Sequence, residues 1–207
     1  WLKFLLKTFP KLCQLLSLQV MARVPIFLLL ACHVACGAPI HDAARRGNFE
    51  QMKKLLPKDL NLKEDGSGQT PLMAAVLSGK DDVVEFLLPF KPDATIGEEQ
   101  GYTPMHGAGF QGRTKCAEHL LKYRLNPSDR HKDGYTPLHR ACWGQEDRHR
   151  NMVKFLLNNG VDPEEAASDG KTCLQMTNNA KTRKLVEKRI QKKKDSTEVK
   201  VEQKQEL

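Results

Sequence analysis

No Gly-rich phosphate loop, no His-Glu-x-x-His pair and no nucleophile motif occurs in the 207 residues. The usual sequence grounds for an enzyme are therefore missing. Nothing in the pattern asks for a cofactor or a metal. Cys32-His33-x-x-Cys36 and Cys116-x-x-His119 are lone fragments of metal spacing without further ligands. The six cysteines, Cys13, Cys32, Cys36, Cys116, Cys142 and Cys173, are widely scattered. They read as small buried residues and not as a disulfide framework. There is no Asn-x-Ser/Thr acceptor, because the proline blocks Asn126-Pro127-Ser128. The apolar run at residues 24–35 has about a dozen residues, short of the ~20 that span a bilayer.

The formal charge of +8 is confined to the ends. Residues 1–37 hold Lys3, Lys7, Lys11 and Arg23 with no acid, and residues 181–207 hold ten basic groups against five acids. The stretch between them carries about −1. A basic chain ordinarily suggests nucleic acid or anionic membrane as a partner, but here the middle does not share the basicity. A nucleic-acid partner is not expected.

What the middle does contain is a repeat. Thr70-Pro71-Leu72, Thr103-Pro104-Met105 and Thr136-Pro137-Leu138 stand 33 residues apart, and Thr172-Cys173-Leu174 follows 36 later. Gly68, Gly101, Gly134 and Gly170 precede them at one offset, and Leu87-Leu88, Leu120-Leu121 and Leu156-Leu157 follow. Ala38-Pro39-Ile40-His41 with Leu55-Leu56 is a degenerate first copy. The Thr caps a helix, and Pro fits its first turn, where an amide would lack a partner. Ala43-Ala44, Ala75, Ala108 and Ala141 let neighbouring helices approach. Val83-Val84, Met152-Val153 and the leucine pairs give a second helix its apolar face. One such unit cannot bury that face alone, whereas stacked units share a continuous core.

Gly-Tyr-Thr-Pro-Met-His at 101–106 and Asp-Gly-Tyr-Thr-Pro-Leu-His at 133–139 closely resemble the Thr-Pro-Leu-His motif of the ankyrin-repeat family. The resemblance covers about residues 38–190. It implies an all-α solenoid, an ankyrin-type stack of four to five hairpin–helix–helix repeats with degenerate capping units. Three departures from the family pattern carry expectations. Where the family ends its second helix with a left-handed Gly, only Gly160 does so here, and Asp59, Lys91 and Arg124 fill the equivalent places. Three extra residues within 146–150 should lengthen the turn between two helices into a charged loop. The short fifth copy and the first copy, with Arg45, Arg46, Lys53 and Lys54, read as polar caps.

In such a stack the hairpin tips and the exposed side of each first helix line a concave face, which the family uses for partners. Leu77, Phe110 and Trp143 share one repeat position and should form a stripe up that face. Tyr102 and Tyr135 are equivalent hairpin residues beside it, and Arg45, Arg46 and Arg140 lie on the same side, with His131 and Lys132 near one tip. Aromatic and Arg residues in a row are the types enriched in binding hot spots. The competing reading makes the two large rings ordinary packing contacts and the tyrosines shields for the turn. His41, His106 and His139 are expected to hydrogen-bond turn to helix. The resulting reading is a monomeric, non-catalytic scaffold that binds another protein. The alternative is the recognition module of a larger ligase- or kinase-like enzyme.

From Met21 the chain reads as a secretory signal ending at Gly37: Arg23, the apolar run, then small residues. The same run also fits an apolar helix lying on the stack. Lys3, Lys7 and Lys11 place a basic stripe on residues 1–20. Residues 191–207 read as a disordered charged tail. Its last four residues, Lys204-Gln205-Glu206-Leu207, resemble the Lys-Asp-Glu-Leu retention signal. Leader and tail together point to the endoplasmic reticulum lumen. The cluster Lys188-Arg189 and Lys192-Lys193-Lys194 fits a nuclear address instead, and a plain solvated tail leaves the cytoplasm open.

Overall fold

Each Thr-Pro step opens a helix in the computed structural model, which describes residues 39–205, with side chains to residue 197. The expected leader at 1–37 lies outside the described residues. The helices pair along the chain: α1 (Pro39–Arg46) with α2 (Phe49–Leu55), α3 (Pro71–Ser78) with α4 (Asp81–Leu87), α5 (Pro104–Gln111) with α6 (Thr114–Lys122), and α7 (Pro137–Cys142) with α8 (Asp147–Asn158). The short α9 (Cys173–Met176) and the long α10 (Ala180–Gln205) complete the described residues. First helices α3, α5, α7 and α9 pack in one row, and second helices α4, α6, α8 and α10 pack in another. Among the described residues there is no β-strand, only one bridge between Ala166 and Thr172.

The core lies between the two rows. Ala75, Ala108 and Ala141 are fully buried, as are Val84, Leu87, Leu120, Val153 and Leu156. The alanines permit close approach because they add no side chain beyond Cβ. Gly109 shows how close the first helices come: a Cβ there would sit 2.4 Å from the Pro137 carbonyl oxygen. Caps follow the sequence. Thr70 Oγ1 accepts the Met73 amide at 3.3 Å. Thr136 is fully buried, with its hydroxyl 2.8 Å from His139 Nδ1 and its amide donating to the same nitrogen at 3.1 Å. Thr136→Ala should therefore lower the unfolding free energy by about 1–2 kcal/mol, the scale of a lost helix cap. An unchanged urea midpoint would count against this placement of the cap.

The histidines do more than join turn to helix. His106 Nε2 reaches the Tyr135 carbonyl at 3.3 Å, His139 Nε2 the Glu165 carbonyl at 3.0 Å, and His41 Nε2 the Gln69 carbonyl at 2.8 Å. Each ring thus ties its repeat to the following hairpin.

Lys91 and Arg124 do take the left-handed conformation, with φ of 60° and 67°, at a cost of about 1 kcal/mol each. Asp59 does not, because α2 already ends at Leu55 and a turn follows. The turn in the fourth repeat does lengthen, to residues 143–146 against two residues in the repeats before it, but the three extra residues do more. They start α8 early, so that it has 12 residues against 7 in α4 and 9 in α6.

Residues 191–205 of the expected charged tail are helical, since α10 continues to Gln205, and residues 206–207 lie outside the described residues. Lys, Gln and Glu are good helix formers, and Leu185, Val186 and Ile190 seat the helix on the core. Lys193 Nζ pairs with Asp162 Oδ1 at 2.8 Å and Glu164 Oε2 at 3.1 Å. Arg189 donates to the Leu157 carbonyl and to Asn158 Oδ1.

The cysteines do not all remain as separate buried residues. Cys142 and Cys173 form a disulfide, with Cα atoms 5.5 Å apart. They occupy in α7 and α9 the places that Gly109 and Pro137 hold in α5 and α7, so the same close helix approach brings them together. Cys116 is buried and free, and burial pushes its thiol up to about 12, which makes it an inert packing residue.

Candidate functional site

Arg140 projects from α7 and is buried. Its guanidinium lies 4.4 Å from the Tyr102 ring centroid, 4.7 Å from Tyr135 and 4.5 Å from Trp143. These stacking contacts compensate a cation removed from water. Arg140 Nη2 donates to the Tyr102 hydroxyl and to Asp133 Oδ2, the latter at 2.6 Å. Tyr102 in turn donates to Asp133 Oδ2 at 2.6 Å. The next repeat copies the motif, with the Tyr135 hydroxyl donating to Asp169 Oδ2 at 3.0 Å. Each hairpin tyrosine is thus tied to the Asp-Gly turn of the following repeat.

Desolvation pushes the Asp133 carboxyl up, but this is outweighed. The Tyr102 hydroxyl, the Tyr135 amide, the His131 ring and the Arg140 charge together hold it well below the ordinary carboxylate range. Tyr102 moves the opposite way, raised first by desolvation and then by its bond to Asp133. His131 is buried, stacks on Tyr102 at 4.0 Å, and reaches the Gln100 carbonyl at 2.9 Å. It is a packing residue of this cluster, whereas Lys132 at the tip is exposed.

The stripe divides along its length. Phe110 is 53 % exposed and Trp143 39 %, while Leu77 is half-buried. Leu77, Met73 and Phe110 line a hollow of about 280 Å3 that also reaches Tyr102 and Arg140. A second hollow of about 250 Å3 lies between Phe110 and Trp143. The Trp143 ring rests on Tyr135 at 5.1 Å. Tyr102, Tyr135, Arg140, Phe110 and Trp143 thus form one continuous surface.

Arg45 and Arg46 line neither hollow. Arg45 makes a two-pronged pair with Glu64, Nη1 donating to Oε1 at 2.8 Å and Nη2 to Oε2. That hydrogen bonding holds the Glu64 carboxyl below its usual range despite desolvation. Arg46 is exposed, 3.7 Å from Asp42. Sequence reasoning passed over Asp133 and Asp169 as acceptors. The Asp-Gly pair of each turn, one repeat after a tyrosine, was the signal for them.

The pattern of hairpin, helix pair and 33-residue stack has a counterpart among known families. A family model described as "Ankyrin repeats (3 copies)" matches residues 22–97, 40–131 and 90–167, well over half of the chain. The chain belongs to the ankyrin-repeat family. Ankyrin repeats are protein-interaction modules, and the family is generally non-catalytic. Among curated relatives, this ankyrin-repeat chain is 38% identical over 61 residues to "Protein fem-1 homolog A" of Bos taurus, covering 30% of this chain and 9% of that protein. The Homo sapiens protein of the same name matches at 38% over 61 residues, 30% of this chain and 8% of its own length. "Protein fem-1 homolog A-like" of Mus musculus matches at 38% over 53 residues, 26% and 8%. The chain spans less than a tenth of the length of these relatives. No helix among the described residues of this ankyrin-repeat protein is long and apolar enough to cross a membrane.

The ankyrin histidine ties predict a pH dependence. Desolvation lowers the proton affinity of His106 and His139, with Asp129 opposing it at His106. The folded values lie below that of the unfolded chain, about 6.5, so the unfolded chain takes up protons first. Their contribution to stability is complete above that pH and is lost as pH falls through it toward the folded values. The urea midpoint should fall between pH 7.5 and pH 5.5, and less steeply in His139→Asn. A midpoint constant across that range would reject neutral, buried imidazoles.

Proposed function

We propose that this chain is a non-catalytic, monomeric scaffold that holds a partner protein against the surface formed by Phe110, Trp143, Tyr102, Tyr135 and Arg140, with Leu77 extending it. One observation carries the reading. Two large apolar side chains at equivalent repeat positions are left exposed beside a cation buried among aromatic rings. An apolar strip left in water favours association and usually marks an interaction site. A protein partner suits it better than nucleic acid, because the basic residues concentrate on α10, where Lys193 and Arg189 are engaged with the fold. The test is affinity capture with wild type and with a Phe110→Ala/Trp143→Ala variant. Proteins recovered equally by both would reject the reading.

A second reading has its own support. The matched relatives are more than ten times as long as the matched stretch, which suits a recognition module of a larger, ligase- or kinase-like enzyme. Mass spectrometry of the endogenous protein distinguishes the two, since peptides from a catalytic domain on the same polypeptide would favour the second.

We also propose that the leader and the Lys-Gln-Glu-Leu end hold the chain in the endoplasmic reticulum lumen. The Cys142–Cys173 bridge supports an oxidising compartment. With an internal tag, the full chain should overlap a lumenal marker, and deletion of residues 204–207 should send it into the medium. Cytosolic or nuclear signal from the full chain would reject this.

A further inference from the structure

The hollow between Phe110 and Trp143 is walled by Gly144, Arg140, Arg148 and His149, and no carboxylate lines it. The repeats before it differ, although Arg113 Nε, against the Gly79 turn, is also without a partner. Their helix pairs turn through two residues, Gly79-Lys80 and Gly112-Arg113, between α3 and α4 and between α5 and α6. The extra turn at the start of α8 is what carries Arg148 and His149 to the groove. The fit there is tight. His149 Nε2 donates to the Phe110 carbonyl at 3.1 Å, and its ring lies so close to residue 144 that a Cβ there would meet Cγ at 1.9 Å.

Three nitrogens at this wall have no partner: Arg140 Nε, Arg148 Nε and His149 Nδ1. Proteins ordinarily satisfy buried polar atoms, so three orphans from three side chains around one hollow are informative. Both arginines are only half used. Arg140 spends Nη2 on Tyr102 and Asp133, and Arg148 spends Nη2 on Glu146 at 2.7 Å. Their Nη1 groups donate to nothing among the described residues. Nε2 is taken by the Phe110 carbonyl, so Nδ1 is the His149 ring nitrogen left for a partner.

From this geometry we infer that the hollow receives an acidic side chain of an extended partner peptide, flanked by an apolar residue. This rests on the groove reading above and names the partner's chemistry. The carboxylate takes the unused donors of Arg140 and Arg148, since guanidinium donors and carboxylate acceptors match in charge and plane. A backbone polar group beside it pairs with His149 Nδ1. The flanking apolar side chain covers Phe110 or Trp143, whose exposed rings border the same hollow.

The test is selection of short random peptides displayed on phage against the full chain. Recovered peptides should carry Asp or Glu next to an aromatic or branched aliphatic residue. Resynthesis with the acid amidated should weaken binding by about tenfold or more, the scale of one charged hydrogen bond. Arg148→Gln in the protein should do the same with unchanged helical circular dichroism. Arg148 is suited to this because its side chain is 39 % exposed, so the substitution spares the core. Peptides that need Phe110 and Trp143 but ignore both amidation and Arg148→Gln would overturn the inference and leave the groove reading standing. Peptides indifferent to Phe110→Ala/Trp143→Ala, or none recovered at all, would count against both.

Discussion

Converting both Cys142 and Cys173 to Ala should lower the unfolding free energy by about 3–4 kcal/mol under oxidising conditions, the loop-closure value for a bridge spanning 31 residues. The loss should fall mainly on the last repeat. Its first helix, α9, has only four residues, of which Cys173 alone is buried. The bridge makes the cap inseparable from α7. Hydrogen exchange should show α9 and the start of α10 losing protection before α5 does. Alkylation without reductant should label neither Cys142 nor Cys173, and reduction should reproduce the double variant. Equal urea midpoints with and without reductant would show that the bridge does not contribute to the stack.

That bridge also shows where the sequence stopped being legible. The repeat was plain from Thr-Pro-Leu-His and its 33-residue spacing, because those residues do local work: a cap, a first turn, and a ring reaching the next hairpin. The cysteines looked scattered because their pairing is a product of stacking. It becomes visible only when Cys142 is aligned with Gly109 and Cys173 with Pro137, a pair whose backbones nearly touch. The helical end at 191–205 was missed for a related reason. Its charge suggested solvent, but the partners of Lys193 lie 31 and 29 residues earlier, in the hairpin of the last repeat. In the candidate site, Phe110 and Trp143 were legible from periodicity. The burial of Arg140 was not, since an arginine on a helix face reads as exposed until the rings of Tyr102, Tyr135 and Trp143 close over it. The pairing of Arg45 was not legible either, because Glu64, which engages it, sits on the hairpin and not on its own helix.

The second large effect concerns those rings. Phe110→Ala together with Trp143→Ala should abolish capture of the partner, while the helical signal stays and the melting temperature drops by only a few degrees. Hot-spot aromatics at interfaces cost about 2 kcal/mol or more each on truncation, and two together exceed a hundredfold in affinity. Removal of a buried aromatic from a core costs about 3–5 kcal/mol, and two such losses would unfold a short array. Exposure decides between these outcomes. Phe110, at 53 %, should cost stability little. Trp143, at 39 %, also supports Tyr135 and Arg140, so most of the expected loss of stability comes from it. The single variants should separate the two contributions, with Phe110→Ala weakening binding at unchanged stability and Trp143→Ala lowering both. If the double variant unfolds, the stripe is part of the core and the partner face lies elsewhere. If it stays folded and still binds, the partner is held by the hairpin tips or the convex side, and the exposure of these two rings has another cause.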